Sequence, residues 1–336
     1  MGFRPLSPRN LIIFSVISIC LGLIWLMKNC FGGLDPSKEF SSQVHNVNLQ
    51  SLRKRELHLN VWEKEIKSKM KLLGISSMTL LSRQMPLIYV VTPTHSALTQ
   101  KADLTRLSQT LLHIPQMHWI VVEDSEIKTP LVTNFLHQCG NKYTHLNIRT
   151  RNESIRKGRE PRWLKNRGVD QRNLALSWMR EHHNPKHGKA VVYFADDDNT
   201  YDIRIFEMMR YTKGVSVWPV GIVGGLIWEG PMCKDGQVIK FHTDWLPERP
   251  LPLDMAGFAI NVQLLLDNPS VNMDPFAKRG YVESSIVGQL VTREDLEPLA
   301  DDCTKVLVWH TQTATPKIKN EERLQRLGKG SPTMEV

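Results

Sequence analysis

The strongest constraint on the fold is an alternation of short apolar runs and helical patterns between residues 86 and 194. The apolar runs are rich in β-branched residues and end in polar or turn-forming residues, as strands do. The predicted strands span residues 87–91, 118–122, 143–148 and 190–194, and the predicted helices include residues 131–137 and 169–180. This order predicts an α/β fold whose parallel sheet has helices on both faces.

Polar side chains stand where three of these predicted strands end. Thr92 and Thr94 follow the first strand, Asp124 follows the second, and three aspartates at residues 196–198 follow the fourth. Ligands of such sheets bind beside the carboxyl ends of the parallel strands. We therefore expect these groups to gather at one edge of the sheet.

The acidic run at residues 196–198 is the strongest chemical signal in the chain. Adjacent carboxylates repel one another, and a hard cation such as Mn²⁺ or Mg²⁺, which prefers carboxylate oxygens, offsets that repulsion. The cation can also bridge the phosphates of a nucleotide diphosphate. A solvated acidic turn that caps the next helix is the alternative. The position after a buried strand favours the metal site.

Basic residues are expected to face the phosphates. Arg167 and Arg172 flank a predicted helix start, where guanidinium groups and backbone N–H groups favour anions. Either arginine alone is typical of a solvated surface. The formal charge of +9 lies in separate clusters, with no zinc-finger spacing or RNA-binding aromatic signature. We therefore expect an anionic ligand and no nucleic acid.

One carboxylate is a candidate for acid–base chemistry. Glu283 begins a predicted helix at residues 282–290, after a glycine turn. Transfer to a hydroxyl needs a general base, although glutamates are also common at helix starts for dipole reasons. Asp254 lies in an apolar run, where a carboxylate needs a partner. Trp228 and Trp245 are candidates for stacking on sugar rings or for the core.

Residues 11–27 form an uncharged apolar segment. At 1.5 Å per residue, a helix of this length reaches about 25 Å, enough for a thin bilayer. Arg4 and Arg9 precede it and Lys28 follows it, so the basic-residue bias places residues 1–10 in the cytosol and the bulk of the chain in the lumen. A cleaved signal peptide is the alternative. The length of the segment favours an uncleaved anchor.

Residues 28–85 are predicted to be a lumenal stem. Apolar residues recur every seven positions from Leu52 to Leu73, which predicts an amphipathic helix that either pairs two chains or packs alone on the domain. Cys30 either forms an interchain disulfide or is a free thiol. Asn152 begins an Asn-Glu-Ser sequon, the acceptor for N-glycosylation in a lumenal chain.

Eight motifs resemble the β-1,3-glucuronosyltransferase family, in order and spacing, over residues 86–318. They read VVTPT, HWIVVEDSE, RGVDQRN, VVYFADDDNTY, VSVWPVG, DMAGFA, YVESS and VLVWHT. The resemblance implies a GT-A-like, Rossmann-type fold with a mixed sheet, UDP-glucuronic acid as donor, Mn²⁺ as cofactor and inversion at the anomeric carbon. The anchor and stem resemble the family's type II Golgi architecture, which implies a membrane-bound homodimer with a lumenal catalytic domain.

The domain organisation combines the resemblance with the patterns above. After the tail, anchor and stem, residues 86–200 are predicted to be a UDP-sugar-binding subdomain. Residues 201–336 are predicted to be an acceptor-binding subdomain with a C-terminal extension. In this second part, the sequence predicts strands at residues 215–223, 238–241, 258–262 and 305–309.

Site residues follow from the resemblance, position by position. Asp198 resembles the family's metal ligand, and Glu283 resembles its catalytic base. The residues that resemble donor contacts are Pro93, Thr94, His95, Asp124, Arg167, Arg172, Asp196, Asp197 and His310. The residues that resemble acceptor or sugar contacts are Glu229, Trp245, Arg249 and Asp254.

Two positions depart from the family's pattern. His95 stands where the family usually has a tyrosine against the uracil, and it offers less area for stacking. Gln312 stands where the family usually has an arginine. Loss of one charge-assisted contact costs on the order of 1.5–3 kcal/mol.

The acceptor is predicted from residues 241–245, which read FHTDW. This stretch resembles family members that act on the galactose-galactose-xylose linker of proteoglycans, which carry heparan and chondroitin sulfate. Broader activity on N-acetyllactosamine-type acceptors is one alternative. A glycan-binding pseudo-enzyme, disabled at His95 and Gln312, is another, and the intact acidic run and Glu283 motif argue against it.

Overall fold

The computed structural model describes residues 85–155, 165–184 and 188–329. The predicted anchor, Cys30 and almost all of the predicted stem lie outside these ranges. No helix within them is both long enough and apolar enough to cross a membrane.

The described residues form two sheets. Their strands are β1 (Leu87–Thr94), β2 (Met117–Glu123), β3 (Tyr143–Asn147), β4 (Ala190–Phe194), β5 (Thr200–Tyr201), β6 (Val215–Val217), β7 (Val220–Val223), β8 (Leu226–Lys234), β9 (Gln237–His242), β10 (Phe258–Asn261), β11 (Leu296–Pro298) and β12 (Val308–Trp309). The larger sheet has the order β11-β6-β10-β4-β1-β2-β3, and the smaller has the order β5-β12-β7-β8-β9. Strands β1 to β4 are mutually parallel, which confirms the parallel arrangement predicted for them.

The helices connect and cover these strands. They are α1 (Gln100–Leu111), α2 (Pro130–Gln138), α3 (Val169–His182), α4 (Ile203–Met209), α5 (Val262–Asp267), α6 (Val282–Val287) and α7 (Lys319–Arg326), with short 3-10 turns at Asn152–Ser154, Met255–Gly257 and Arg293–Asp295. Side-chain caps fix two of the starts: Asp202 Oδ1 accepts from Arg204 N at 2.9 Å, and Asn261 Oδ1 accepts from Gln263 N at 2.8 Å.

Two apolar clusters cover the two faces of the larger sheet. Alternate residues of β1 divide between them, with Tyr89 and Val91 in one cluster and Ile88 and Val90 in the other. The first cluster includes apolar residues of α3, and the second includes those of α1. Because α3 and α1 belong to different clusters, the predicted helices on both faces of the sheet are confirmed. Each fully buried aliphatic side chain stabilises the fold by roughly 1.5–3 kcal/mol.

The larger sheet is mixed, because β10 runs antiparallel to β4 and β6. It takes strands from both sides of residue 200.

The prediction of a single strand at residues 215–223 is wrong, because β6 and β7 are separate strands that belong to different sheets. Trp218 and Pro219 interrupt the run, and proline has no N–H to donate. The strand predicted at residues 305–309 shortens to β12, and the helix predicted at residues 282–290 ends at Val287.

A disulfide that the sequence analysis missed joins Cys233 of β8 to Cys303, with Cα atoms 5.5 Å apart. Cys303 ends a turn at Ala300–Cys303 in which all four residues have positive φ angles. The disulfide therefore ties the smaller sheet to the loop between β11 and β12.

Candidate active site

The ends of β1, β2 and β4 meet at one edge of the larger sheet, as predicted. The backbone N–H of Asp124 donates to the carbonyl of Thr94 at 2.8 Å. The hydroxyl of Thr94 donates to Oδ2 of Asp197 at 2.7 Å. These two hydrogen bonds connect the ends of β2 and β4 through Thr94 at the end of β1.

Thr150 holds the carboxylate of Asp124 from both sides. Its backbone N–H donates to Oδ1 at 2.7 Å and its hydroxyl donates to Oδ2 at 2.7 Å. The amide of Gln171 on α3 donates to the same hydroxyl at 3.2 Å. The predicted donor contact Asp124 is therefore fixed in orientation, while His95 lies exposed beyond the end of β1.

Arg172 lies in the first turn of α3 and is 5% exposed. Its guanidinium donates to Oδ1 of Asp196 and, at 3.2 Å, to the carbonyl of Arg167. Gly168 begins the helix with a φ angle of 71°, and a Cβ there would lie 2.4 Å from Nη1 of Arg172 and 3.4 Å from the ring of Pro93. A glycine at this position lets α3 present Arg172 to the acidic run.

The surroundings of the acidic run disfavour ionisation of Asp197 and Asp198. The pKa of Asp197 is raised to about 7, mainly by burial; the hydrogen bond from Thr94 opposes the rise, and the charges of Asp198 and Asp196 add to it. Burial and the charge of Asp196 also raise the pKa of Asp198. These partly dehydrated like charges are the environment that a bound cation stabilises.

Asp103 of α1 adds a fourth carboxylate that the sequence analysis missed. It is 5% exposed, and its charge contributes to the raised pKa values of both Asp197 and Asp198. Its position was detectable in principle, because Gln100, Asp103 and Leu107 lie at helical spacings of three and four on the buried face of α1.

The residues fit a divalent cation held at Asp198. The ligand atoms at Asp198 are hard carboxylate oxygens. Cations such as Mg²⁺ commonly bind one or two protein carboxylates and complete their coordination shell with substrate phosphates and water. The described part of the chain has no group of three or more His, Cys, Asp or Glu side chains that could hold a metal.

His310 follows β12 and lies beside Asp254, with 3.3 Å between Nδ1 and Oδ2. The contact with Asp254 raises the pKa of His310 to about 9. Burial acts to raise the pKa of Asp254, but His310 and the N–H of Ala256 lower it overall. The predicted donor residue His310 and the predicted sugar contact Asp254 therefore form an ion pair.

Glu283 lies in the first turn of α6. Its pKa is raised to about 7, mainly by burial. Its own backbone N–H lowers the pKa, the charge of Asp254 raises it, and the charges of Arg249 and Arg172 lower it. A carboxylate with a pKa near neutrality suits a general base. The charged residues that shift the pKa of Glu283 are thus ones predicted to contact the donor or the acceptor.

The predicted acceptor residues form a packed group. Glu229 and Arg249 are 3% and 5% exposed and pair with each other, and Arg249 also donates to the carbonyl of Trp245 at 3.1 Å. The guanidinium groups of Arg249 and Arg279 lie 5.1 and 5.0 Å from the Trp245 ring centroid. Arg279 was not predicted. Contact of this group with an acceptor stays a prediction.

Asn152 lies exposed in the 3-10 turn Asn152–Ser154. The side chain is therefore accessible on the surface of the described domain. Its glycosylation stays a prediction.

Comparison of the sequence with known proteins shows the family of this chain. The family model described as "Glycosyltransferase family 43" matches residues 107–314. The human protein named galactosylgalactosylxylosylprotein 3-beta-glucuronosyltransferase 3 is 55% identical over 75% of this chain and 78% of its own length. The Drosophila melanogaster protein named galactosylgalactosylxylosylprotein 3-beta-glucuronosyltransferase I is 48% identical over 74% and 82%.

A solved structure, Staphylococcus aureus TarS 1-349, overlaps the chain with a TM-score of 0.43 at 14% identity, over 67% of this chain and 60% of that one. The family match spans more than half of the chain, and the human relative is 55% identical over three quarters of it. The chain belongs to glycosyltransferase family 43.

Proposed function

We propose that this chain transfers glucuronic acid from UDP-glucuronic acid to the 3-hydroxyl of a terminal galactose, in the galactose-galactose-xylose linker on proteoglycan core proteins. The names of its relatives give a galactosylgalactosylxylosylprotein acceptor and a 3-beta linkage of glucuronic acid, which supports this proposal. The observation that carries the proposal is Glu283, a carboxylate with a pKa of about 7 whose electrostatic neighbours are Asp254, Arg249 and Arg172.

The donor is assigned to the edge formed by the ends of β1, β2 and β4. Asp124, oriented by Thr150, would accept hydrogen bonds from the uracil. Arg172 lies beside Asp196, where a guanidinium offsets negative charge around a diphosphate. His310 is held protonated up to about pH 9 by Asp254, so it is a cation at neutral pH and can donate to the donor's phosphate or carboxylate.

Mn²⁺ is the proposed cofactor, and Asp198 is its proposed protein ligand. When bound, the cation would stabilise the negative charge of the departing UDP. The raised pKa values of Asp197 and Asp198 support this assignment, because a cation lowers the cost of ionising both carboxylates.

The proposed reaction is a single displacement with inversion. Glu283 accepts the proton of the galactose 3-hydroxyl while the oxygen attacks the anomeric carbon of glucuronic acid. The bond from that carbon to the β-phosphate oxygen breaks, and UDP leaves with the electron pair. Burial raises the pKa of Glu283 to about 7, with Asp254 and Arg249 acting in opposite directions, so the pKa lies near the operating pH.

The cellular setting is part of the proposal. The apolar segment at residues 11–27 supports a Golgi anchor, and the heptad spacing from Leu52 to Leu73 supports a homodimer formed through the stem. We assign residues 86–200 to a GT-A-like donor-binding half and residues 201–336 to an acceptor-binding half. The mixed larger sheet, which takes strands from both halves, supports their folding as a unit.

The test is transfer by the 336-residue chain in detergent, with UDP-glucuronic acid, Mn²⁺ and either Gal-β1,3-Gal or N-acetyllactosamine. Manganese-dependent transfer to Gal-β1,3-Gal alone is the expected result. Transfer to both acceptors would replace the proposal with a broader specificity. Binding of UDP without transfer to either would indicate a non-catalytic glycan-binding protein.

A further inference from the structure

The segment Trp309–Thr313 contacts the acidic run at Asp198 and is held by hydrogen bonds from three of its residues. The backbone N–H of His310 donates to the carbonyl of Gly221 at 2.9 Å. The hydroxyl of Thr311 donates to the carbonyl of Asp198 at 2.6 Å and lies 3.1 Å from that of Thr200. The hydroxyl of Thr313 donates to Oδ1 of Asp103 at 2.6 Å.

Asp103 is built into α1 as a fixed acceptor. Its side chain is 7% exposed, and Arg106, one helical turn later, donates to the same Oδ1 at 2.6 Å. The same guanidinium nitrogen of Arg106 also donates to the Thr313 hydroxyl at 2.9 Å. Asp103, Arg106 and Thr313 therefore bond to one another, so Asp103 has a cationic partner and Thr313 is oriented by charge-assisted hydrogen bonds, which are the stronger class.

The helix turn that carries Asp103 is also linked to the acidic run through Thr94. Gln100, three residues earlier, donates to the Thr94 hydroxyl at 3.2 Å, and that hydroxyl donates to Asp197 at 2.7 Å. One turn of α1 is therefore linked both to Asp197 and to the segment that carries His310. Side chains at this spacing share one helix face.

We propose that Asp103 is a positioning residue for donor binding, which acts through Thr313 to hold Trp309–Thr313 against the acidic run, with His310 facing the nucleotide sugar. This inference rests on the proposed function, because it assigns the donor to that edge of the sheet. Asp103 does not itself contact the donor. Release of Thr313 would free the end of the segment and weaken donor binding, with little effect on the transfer step or on the acceptor.

The experiment uses Thr313→Val, which removes the hydroxyl at nearly constant volume, and Thr313→Ser, which retains it. Thr105→Val is the matched control, because the Thr105 hydroxyl donates over the same 2.6 Å, but to the carbonyl of Lys101 within α1. We expect the UDP dissociation constant, measured calorimetrically with Mn²⁺, and the KM for UDP-glucuronic acid to rise about tenfold in Thr313→Val. The kcat and the acceptor KM should change less than twofold, and Thr313→Ser should restore UDP binding.

A double-mutant cycle with Asp103→Asn tests the route of the effect. If Asp103 acts through Thr313, the UDP affinity of the double variant should equal that of whichever single variant binds UDP less tightly. Additive losses would overturn the inference, as would equal losses in Thr105→Val and Thr313→Val. Unchanged UDP binding in Thr313→Val would overturn the inference alone, whereas a wild-type chain that bound no UDP would overturn the proposed function as well.

Discussion

Nδ1 of His310 lies 3.3 Å from Oδ2 of Asp254, and this pair joins the two sheets of the domain at the proposed site. His310 directly follows β12 of the smaller sheet, whereas Asp254 caps the 3-10 turn that leads into β10 of the larger one, with Oδ1 accepting from Ala256 N at 2.9 Å. The pair also places a cation beside a carboxylate that acts on Glu283. Its protonation state therefore affects both stability and chemistry.

The His310–Asp254 pair should make stability fall at alkaline pH. The folded-state pKa of His310 is about 9, above the unfolded value of 6.5, so the stabilisation is complete below about pH 6.5. It is lost as the pH rises through 9. Without added divalent cations, we expect the wild-type Tm to fall between pH 6.5 and pH 9.5 by about 2–4 °C for each 1 kcal/mol lost. Asp254→Asn should flatten this part of the profile, and an equally steep fall in that variant would contradict the assignment.

Replacement of Glu283 by glutamine should abolish base catalysis while donor binding persists. The kcat should fall by about 10²–10⁴-fold, because an amide cannot accept the galactose proton. In the wild-type chain, kcat/KM should decrease as the pH falls through about 7, since protonation of Glu283 removes the base. Glu294→Gln, at an exposed glutamate paired with Arg293, is the control. Near-normal turnover by Glu283→Gln would assign the base elsewhere.

Local sequence patterns predicted the parallel strands β1 to β4 and their polar ends, because apolar runs and turn residues are properties of neighbouring positions. Contacts between distant positions were not predictable in this way. Thr313 and Asp103 are 210 residues apart in the chain, and Cys233 and Cys303 are 70 apart. The antiparallel insertion of β10 between β4 and β6 likewise depends on how the chain returns to the sheet. The raised pKa of Glu283 comes from packing around it, which no single motif encodes.

Asp198→Asn should remove the response to manganese together with transfer. An amide oxygen is a weaker ligand than a carboxylate for a hard cation, so we expect Mn²⁺ binding in the presence of UDP to weaken by at least about tenfold. Calorimetric titration of Mn²⁺ measures this directly. Asp267→Asn is the control, because Asp267 is an exposed carboxylate at the end of α5 that accepts from Gln263 at 2.8 Å. An unchanged manganese titration would place the metal ligand elsewhere.

Gly168→Ala should damage donor binding, whereas Gly188→Ala should not. The two glycines have similar φ angles of 71° and 75°, so alanine should cost each about 1–2 kcal/mol of stability through backbone strain. A Cβ at position 168 would lie 2.4 Å from Nη1 of Arg172, while one at position 188 would have no neighbour within 4 Å. We expect similar Tm losses and a weaker UDP affinity in Gly168→Ala alone. Equal UDP affinities in the two variants would show that Arg172 does not support the donor.

Gln312→Arg should strengthen donor binding. Gln312 is exposed between Thr311 and Thr313, whose hydroxyls fix the segment by donating to Asp198 and Asp103. An arginine at this position would add a charge-assisted contact to the donor's phosphate or carboxylate, worth on the order of 1.5–3 kcal/mol. The KM for UDP-glucuronic acid should therefore fall by about tenfold or more. Gln325→Arg adds the same charge on α7, where Gln325 lies near Glu321, and should leave KM unchanged. If both variants lowered KM equally, the gain would reflect net charge rather than a contact made by residue 312.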